Sequence, residues 1–368
     1  MKEKRVENEL LMAIIASVQN HEWCNRCQGK RKSFIYKLKF VVWYFFLMIL
    51  APHMKINSSK MICAMTPVNK KRLMAYMDNG PLFCFARLNG CLSQMKVNNS
   101  VLSPYSMIQR VLICLEAIFF YNRFRKDLRG YFHFTLEYYS IAKYIDEHGV
   151  ETIICPCMYD RYCTFLSYYA HARSIKIIGV QDGAAIDIHI PRKVYCTEMN
   201  CFDEFEGTII KKFIANEDCR FRFTGFTSTL SWKNYENNNK YTIAVASQDW
   251  FTNKTLDLLE ILLDKVRNKN INVVVFPHYR EYTDQYKDIR TKYPYLIVET
   301  GDRYANIDLL VTFYSTIVYD FWSVNPSLHV KCLRIPGYEP GYYKRKNVLV
   351  YDDANVLVES ISTEIGKI

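Results

Sequence analysis

The chain has 368 residues, half of them hydrophobic and 23% charged, which excludes global disorder and leaves room for two ordinary domains. With 13 Gly and 11 Pro it is neither collagen-like nor linker-rich. Lys and Arg number 48 against 37 Asp and Glu, a formal charge of +11, which fits nucleic acid, an anionic membrane surface or phosphorylated substrates and does not choose among them.

The opening MKEKRVENEL is too charged to begin a cleavable signal peptide, and the 13 cysteines, spread from Cys24 to Cys332, form no disulfide-dense module. The thiols are therefore expected to be reduced and the protein cytoplasmic, and the sequons at Asn57, Asn98 and Asn253 to carry nothing. Cys24 and Cys27 form a CxxC near His21, but a closed zinc site takes four ligands and no second CxxC follows, so no metal is expected. The apolar run FVVWYFFLMILA at 40–51 is shorter than the roughly 20 residues of a spanning helix and reads as a buried or interfacial one. Residues 104–129 have the same character, with Ser103 as the cap and Pro104 in the first helical position. This stretch closes on FFYNRFRKDLRGYF, where Arg123, Arg125, Lys126 and Arg129 interleave with Phe119, Phe120, Tyr121 and Phe124. The 118–131 segment suits a membrane interface and equally suits a core helix with a solvated basic end.

From residue 130 onward helices and strands alternate. Helices are expected over 134–147, 160–172 and 204–214, and strands at 151–156, 174–180 and near Val194. The polar stretch SWKNYENNNK, 231–240, reads as an interdomain linker. Beyond it, strands are expected at 241–247, 271–277, 295–299, 307–313 and in SLHVKCL, with helices at 254–267, 281–290 and in STIVYDFW. Strands that are apolar throughout, separated by helices of ten to fifteen residues, argue for a parallel sheet covered on both faces. The fold class is therefore α/β, two Rossmann-type domains facing across a cleft, with domains at 1–230 and 241–368.

In such sheets ligands bind beyond the carboxyl ends of the strands. Gln181-Asp182-Gly183-Ala184 follows the strand ending at Val180: Asp182 is either a general base for a hydroxyl nucleophile or the capping residue of a plain turn, and Gly183 permits a close backbone approach. His278 and Arg280 follow the strand ending near Phe276 and suit a phosphate or diphosphate. Ser315 and Thr316 begin a helix after 307–313, where free N–H groups and hydroxyls make a second anion site or simply a cap. Asp320, one turn on, meets a ribose or solvent. Ser247, Gln248 and Asp249 follow the first strand of the second domain and are placed to meet the donor phosphate or base, and Gly337 and Tyr338 to line the cleft further along. Asp352-Asp353 is expected on the surface.

The order of a QDG turn, then PHYR, then TFYSTIVYDFW with Pro326 after it resembles bacterial GT-B glycosyltransferases of surface polysaccharide synthesis. It is similar to the sialyl- and polysialyltransferases and more distantly to the polyol-phosphate transferases of teichoic acid synthesis. Asp182-Gly183 matches the acid and Gly of the first group, where the acid is the general base, although Gln181 replaces its first acidic residue. His278 matches the histidine that contacts the nucleotide phosphate, with Tyr279 in place of proline, and Ser315 and Thr316 match the hydroxyl pair near the phosphate. No histidine precedes Gly183, as the teichoic-acid group requires. The resemblance covers about residues 150–345 and implies an inverting, metal-independent transferase. It would use a nucleotide sugar, a CMP-linked one among the candidates, and a glycan or lipid-linked glycan acceptor, as in capsule or lipopolysaccharide biosynthesis. Such an enzyme is expected at the inner face of the cytoplasmic membrane, with peripheral contact to anionic lipid and no nucleic-acid partner. The alternatives are a polyol-phosphate transferase with a CDP-polyol donor, a nucleotide-sugar epimerase and a non-catalytic glycan-binding protein.

Overall fold

A computed structural model describes residues 2–27, 38, 41–42, 44–45, 58–64, 73, 76, 82–84, 101–156, 160–226, 228, 232–233, 240–248, 251–267, 269–278, 281, 283–300, 303–304 and 306–366. The chain forms two compact units, one of residues 1–182, 189–201 and 210–223, the other of 183–188, 202–209 and 224–368. Each is built on a six-stranded parallel sheet flanked by helices, the pair of Rossmann-type sheets of a GT-B-like fold.

The first unit holds β1 (Lys60–Ala64), β2 (Leu82–Cys84), β3 (Thr152–Pro156), β4 (Lys176–Val180), β5 (Glu198–Cys201) and β6 (Arg220–Phe223), in the order β2-β1-β3-β4-β5-β6. Among the described residues, those before 130 thus contribute two strands, the helix Met107–Arg123 and the helix Lys2–Cys27, the last of which packs along Arg161–Ala172. Polar groups fix that seam. Ser17 Oγ donates to the Arg161 carbonyl at 2.6 Å, and Asn20 bonds Thr164 at 3.0 Å and both the carbonyl and N–H of Arg192 at 2.9 Å. Asp160 caps Arg161–Ala172 by accepting from the N–H groups of Tyr162 and Cys163.

Three sequence expectations shift here. The helix expected from Pro104 starts at Met107, because Ser106 and Gln109 form a reciprocal capping box, and Ser103 is buried in the turns before it. Near Val194 there is only an isolated bridge to Ile214, and the sheet strand is β5, four residues later. The helix expected to reach 214 stops at Lys211. The side chains of Cys24 and Cys27 and most of the 40–51 run lie outside the described residues. Among those described, no helix is long and apolar enough to cross a membrane.

The second unit holds β7 (Trp232–Lys233), β8 (Tyr241–Ala246), β9 (Ile271–Phe276), β10 (Leu296–Val298), β11 (Arg303–Tyr304), β12 (Leu309–Thr312), β13 (His329–Leu333) and β14 (Val348–Tyr351). β7 and β11 pair with each other, and 234–239 of the polar stretch lie outside the described residues. The main sheet runs β10-β9-β8-β12-β13-β14. Its strands divide their residues between two cores by simple alternation. Ile243, Val245, Val273, Val275, Leu309 and Val311 face one, whereas Ala244, Ala246, Val274, Phe276 and Leu310 face the other. All are at most 1% exposed, which is why these strands read as unbroken apolar runs.

Candidate functional site

Taken in chain order within its own sheet, the second unit has strand order 3-2-1-4-5-6. The order reverses between β8 and β12, and beyond the carboxyl ends of those two strands a doubly wound sheet leaves its ligand crevice. Thr312 Oγ1 donates to the Ala246 carbonyl at 3.1 Å and ties the two strand ends together. Ser247 and Gln248 follow β8, and Ser315 and Thr316 follow β12, so four sequence-predicted residues fall at this point.

Ser247 is 2% exposed and donates from Oγ to Glu281 Oε1 at 2.8 Å. The same carboxylate accepts from Thr252 Oγ1 at 2.5 Å, the His278 N–H at 2.7 Å and the Tyr286 hydroxyl at 3.2 Å. Glu281 therefore joins the loops after β8 and β9 and fixes the backbone of His278. The Glu281 N–H donates in return to the His278 carbonyl at 2.8 Å. The two residues are thus held to each other by two hydrogen bonds, one to the Glu281 side chain and one between their backbones. Burial raises the pKa of the Tyr286 phenol, so Tyr286 is a donor here at any physiological pH. Arg280, like Tyr279 and Asp249, lies outside the described residues.

Thr316 precedes the helix Ile317–Val324, and its Oγ1 accepts from the Ala184 N–H at 2.9 Å. A Cβ on Gly183 would stand 3.5 Å from that oxygen. The structure thus brings Gly183 and Thr316 together, although they are 133 positions apart in the chain. Ser315 is 8% exposed, with Oγ accepting from the Ile317 N–H at 3.4 Å. Asp320 stands in the first turn of that helix but is not solvated: it is 8% exposed and accepts from the Ser228 hydroxyl at 2.8 Å. Asp182 is the last residue of its segment in the first unit, after Gln181, whose N–H donates to the Asn200 carbonyl at 2.9 Å. His278 belongs to the second unit.

Sequence reasoning missed the carboxylates that hold the 183–188 segment. Glu206, fully buried, accepts from the Ala185 N–H at 2.5 Å and the Tyr342 N–H at 3.1 Å. Asp203 accepts from the Glu206 N–H at 2.9 Å, the Tyr319 hydroxyl at 2.9 Å and Arg345 at 2.5 Å. Burial, reinforced by the charges of Glu206 and Asp203, drives the Tyr319 phenol pKa far up and keeps it a donor. The contacts to Tyr319, Tyr342 and Arg345 cross more than a hundred residues, so no local sequence spacing announces them. Around the same strand ends, Phe251, Tyr314 and Tyr338 form an aromatic group, with Tyr314 and Tyr338 stacked at 5.3 Å and Phe251 edge-on to both. Among the described residues, no group of three or more His, Cys, Asp or Glu is placed to hold a metal. Asp353 caps the helix Ala354–Ile365.

No family model and no curated protein matches the chain. Its fold is nevertheless similar to solved structures. One is a co-structure of S. aureus MnaA with UDP, at TM-score 0.50 and 10% identity over 84% of this chain and 88% of that one. Another is CalG4, the calicheamicin glycosyltransferase, at TM-score 0.51 and 9% identity over 84% and 90%. A third is a putative UDP-N-acetylglucosamine 2-epimerase from Listeria monocytogenes, at TM-score 0.51 and 8% identity over 85% and 89%. At these identities the likeness is one of fold, and it spans both units.

Proposed function

We propose that the protein is an inverting glycosyltransferase that takes a sugar from a nucleotide donor and adds it to a glycan or lipid-linked glycan acceptor in surface polysaccharide synthesis. The observation that carries this reading is the 3-2-1-4-5-6 sheet, with Ser247, Gln248, Ser315 and Thr316 at its switch point and His278 beyond the next strand. Hydroxyls, an imidazole and the N-terminus of Ile317–Val324 are the chemistry that takes a diphosphate. Their role is to stabilise charge that builds on the leaving phosphate oxygen. Asp182 is assigned the base. It removes the acceptor hydroxyl proton as the new bond forms at the anomeric carbon and the bond from that carbon to the phosphate oxygen breaks, leaving the nucleotide with the electron pair. On this reading residues 1–230 chiefly serve the acceptor and 241–368 the donor, and the enzyme works at the cytoplasmic face of a membrane. A nucleotide-sugar epimerase is the second reading, favoured by equal fold similarity to an epimerase structure.

The test is a thermal-shift series with CMP, CDP, UDP, GDP and dTDP on the purified chain. One nucleotide is expected to raise the transition, and His278→Ala to abolish that rise. Asp182→Asn is expected to keep the shift and to lose transfer by about a hundredfold or more. No shift with any nucleotide in folded protein overturns the proposal. Interconversion of a free nucleotide sugar without an acceptor selects the epimerase.

A further inference from the structure

The helix Met107–Arg123 is apolar on two opposite faces. One is packed: Arg110, Ile113, Cys114, Ala117 and Phe120 are buried, and the helix lies against Phe132–Glu147. The other is in solvent. Ile108 is 74% exposed, Leu112 52%, Leu115 44% and Phe119 70%, with Met107 and Val111 beside them at 46% and 41%. At about 100° per residue these six side chains fall within an arc of roughly 140°, and no charged residue lies inside it. Single exposed apolar residues are ordinary, but a continuous stripe along a whole helix marks an interaction surface.

The residues just past the helix give the stripe a partner. Arg125, Lys126 and Arg129 are exposed beyond its C-terminus, with Asp127 the one acid among them. Arg123 is taken up by Glu7 at 2.6 Å. A helix with an apolar stripe and an adjoining cluster of bases is the pattern of a segment that lies in the headgroup layer of an anionic bilayer. A protein partner of similar chemistry would need acidic groups spaced to meet three bases within five residues, whereas an anionic lipid surface meets any spacing.

We propose that the 107–119 face, with Arg125, Lys126 and Arg129, docks the protein on an anionic lipid surface. This deepens the proposed function, since an acceptor carried by lipid is then met at the bilayer. It extends the contact from the 118–131 segment singled out in the sequence back along the helix to Met107.

The test is co-sedimentation of the full chain with phosphatidylcholine vesicles, with and without phosphatidylglycerol. Binding is expected only with phosphatidylglycerol and is expected to fall as salt rises. Removing bases as Arg125→Gln, Lys126→Gln and Arg129→Gln is expected to weaken it by about fivefold per base. Ile108→Ser, Leu112→Ser and Phe119→Ser together are expected to abolish it with the thermal transition unchanged, and Phe119→Ser alone to weaken it should the triple variant misfold. Absence of vesicle binding, or binding that both sets leave intact, overturns the proposal. So does a dimer in sedimentation equilibrium that Phe119→Ser dissolves, for the stripe is then an interface between copies. No nucleotide enters the assay, so its failure leaves the transferase reading standing, and failure of the nucleotide screen leaves this one standing.

Discussion

Gly341 is the position where one added carbon does the most damage. A Cβ there would lie 2.6 Å from the Phe205 carbonyl oxygen, 2.7 Å from its carbon and 2.8 Å from the Glu206 nitrogen, all of them backbone. Ordinary contact begins at 3.4 Å, so one chain must retreat by about 0.8 Å. The neighbouring Tyr342 N–H donates to Glu206 at 3.1 Å and cannot follow that retreat. Overpacking costs roughly 1–3 kcal/mol and loss of a hydrogen bond to a buried carboxylate about 1.5–3 kcal/mol. Gly341→Ala is thus expected to destabilise the second unit by about 3–5 kcal/mol. The assay is urea unfolding, together with hydrogen exchange at the Ala185 and Tyr342 amides, which are expected to lose protection together because they share Glu206. Gly337→Ala is a control for a different mechanism: φ is +80° and nothing lies within 4 Å, so only backbone strain of about 1–2 kcal/mol is expected. A Gly341→Ala protein with an unshifted urea midpoint and protected amides would refute the close-packed seam between Gly341 and the 205–206 backbone.

Thr316→Val keeps the shape but leaves the Ala184 N–H without its acceptor, and is expected to cost about 1–3 kcal/mol, while Thr316→Ser stays near wild type in the same urea titration. Glu281→Ala frees four donors from the loops after β8 and β9. It is expected to lower stability by at least about 2 kcal/mol and to weaken nucleotide binding at least as much as it weakens the fold, as calorimetry would show. Glu364 accepts from Lys331 at 2.8 Å and from Tyr241 at 3.2 Å. Burial pushes its carboxyl pKa up, but the Lys331 hydrogen bond and charge and the Tyr241 hydroxyl outweigh it and hold the pKa below the ordinary 4.5. A folded-state pKa below the unfolded one stabilises above pH 4.5 and is lost as pH falls through the lower value. Glu364→Gln is therefore expected to flatten the thermal-transition curve below about pH 4.5, and an unchanged slope there would refute the pairing.

The strands of the second unit were legible because both faces are buried. Runs such as INVVVF and IDLLVTF need no alternation to be recognised, and their ends fall within two residues of expectation. The loop residues that such strands present were legible for the same reason, since a strand end fixes where Ser247, His278 and Ser315 must be. Capping was legible only in part: Ser103-Pro104 and Ser106-x-x-Gln109 compete for one helix start, and the reciprocal hydrogen bonds of the second decide it. What stayed hidden is long-range. Glu206 sits in EFEGTIIK, an ordinary amphipathic helix, and its burial follows from partners at 185 and 342. Likewise the sequence leaves Met107–Arg123 open between a core helix and an interfacial one, because composition does not tell which of two apolar faces finds a neighbour.

The assignment of 183–188 and 202–209 to the second unit means that the polypeptide passes between units five times, at 182/183, 188/189, 201/202, 209/210 and 223/224. During vectorial synthesis the two early pieces leave the ribosome long before the sheet that receives them. Ala184 and Phe202 belong to the core of β8, β9, β12 and β13, and Glu206 must wait for the Tyr342 amide. The first unit can close its own sheet by residue 223, but it must then carry two unfinished pieces until nearly the whole chain exists. A C-terminal piece cut at the polar stretch would be made without them and would bare the surface they cover. The two halves are thus two sheets but one cooperative product of translation, and gene fusions or exchanges that split the chain near residue 235 are expected to yield insoluble halves.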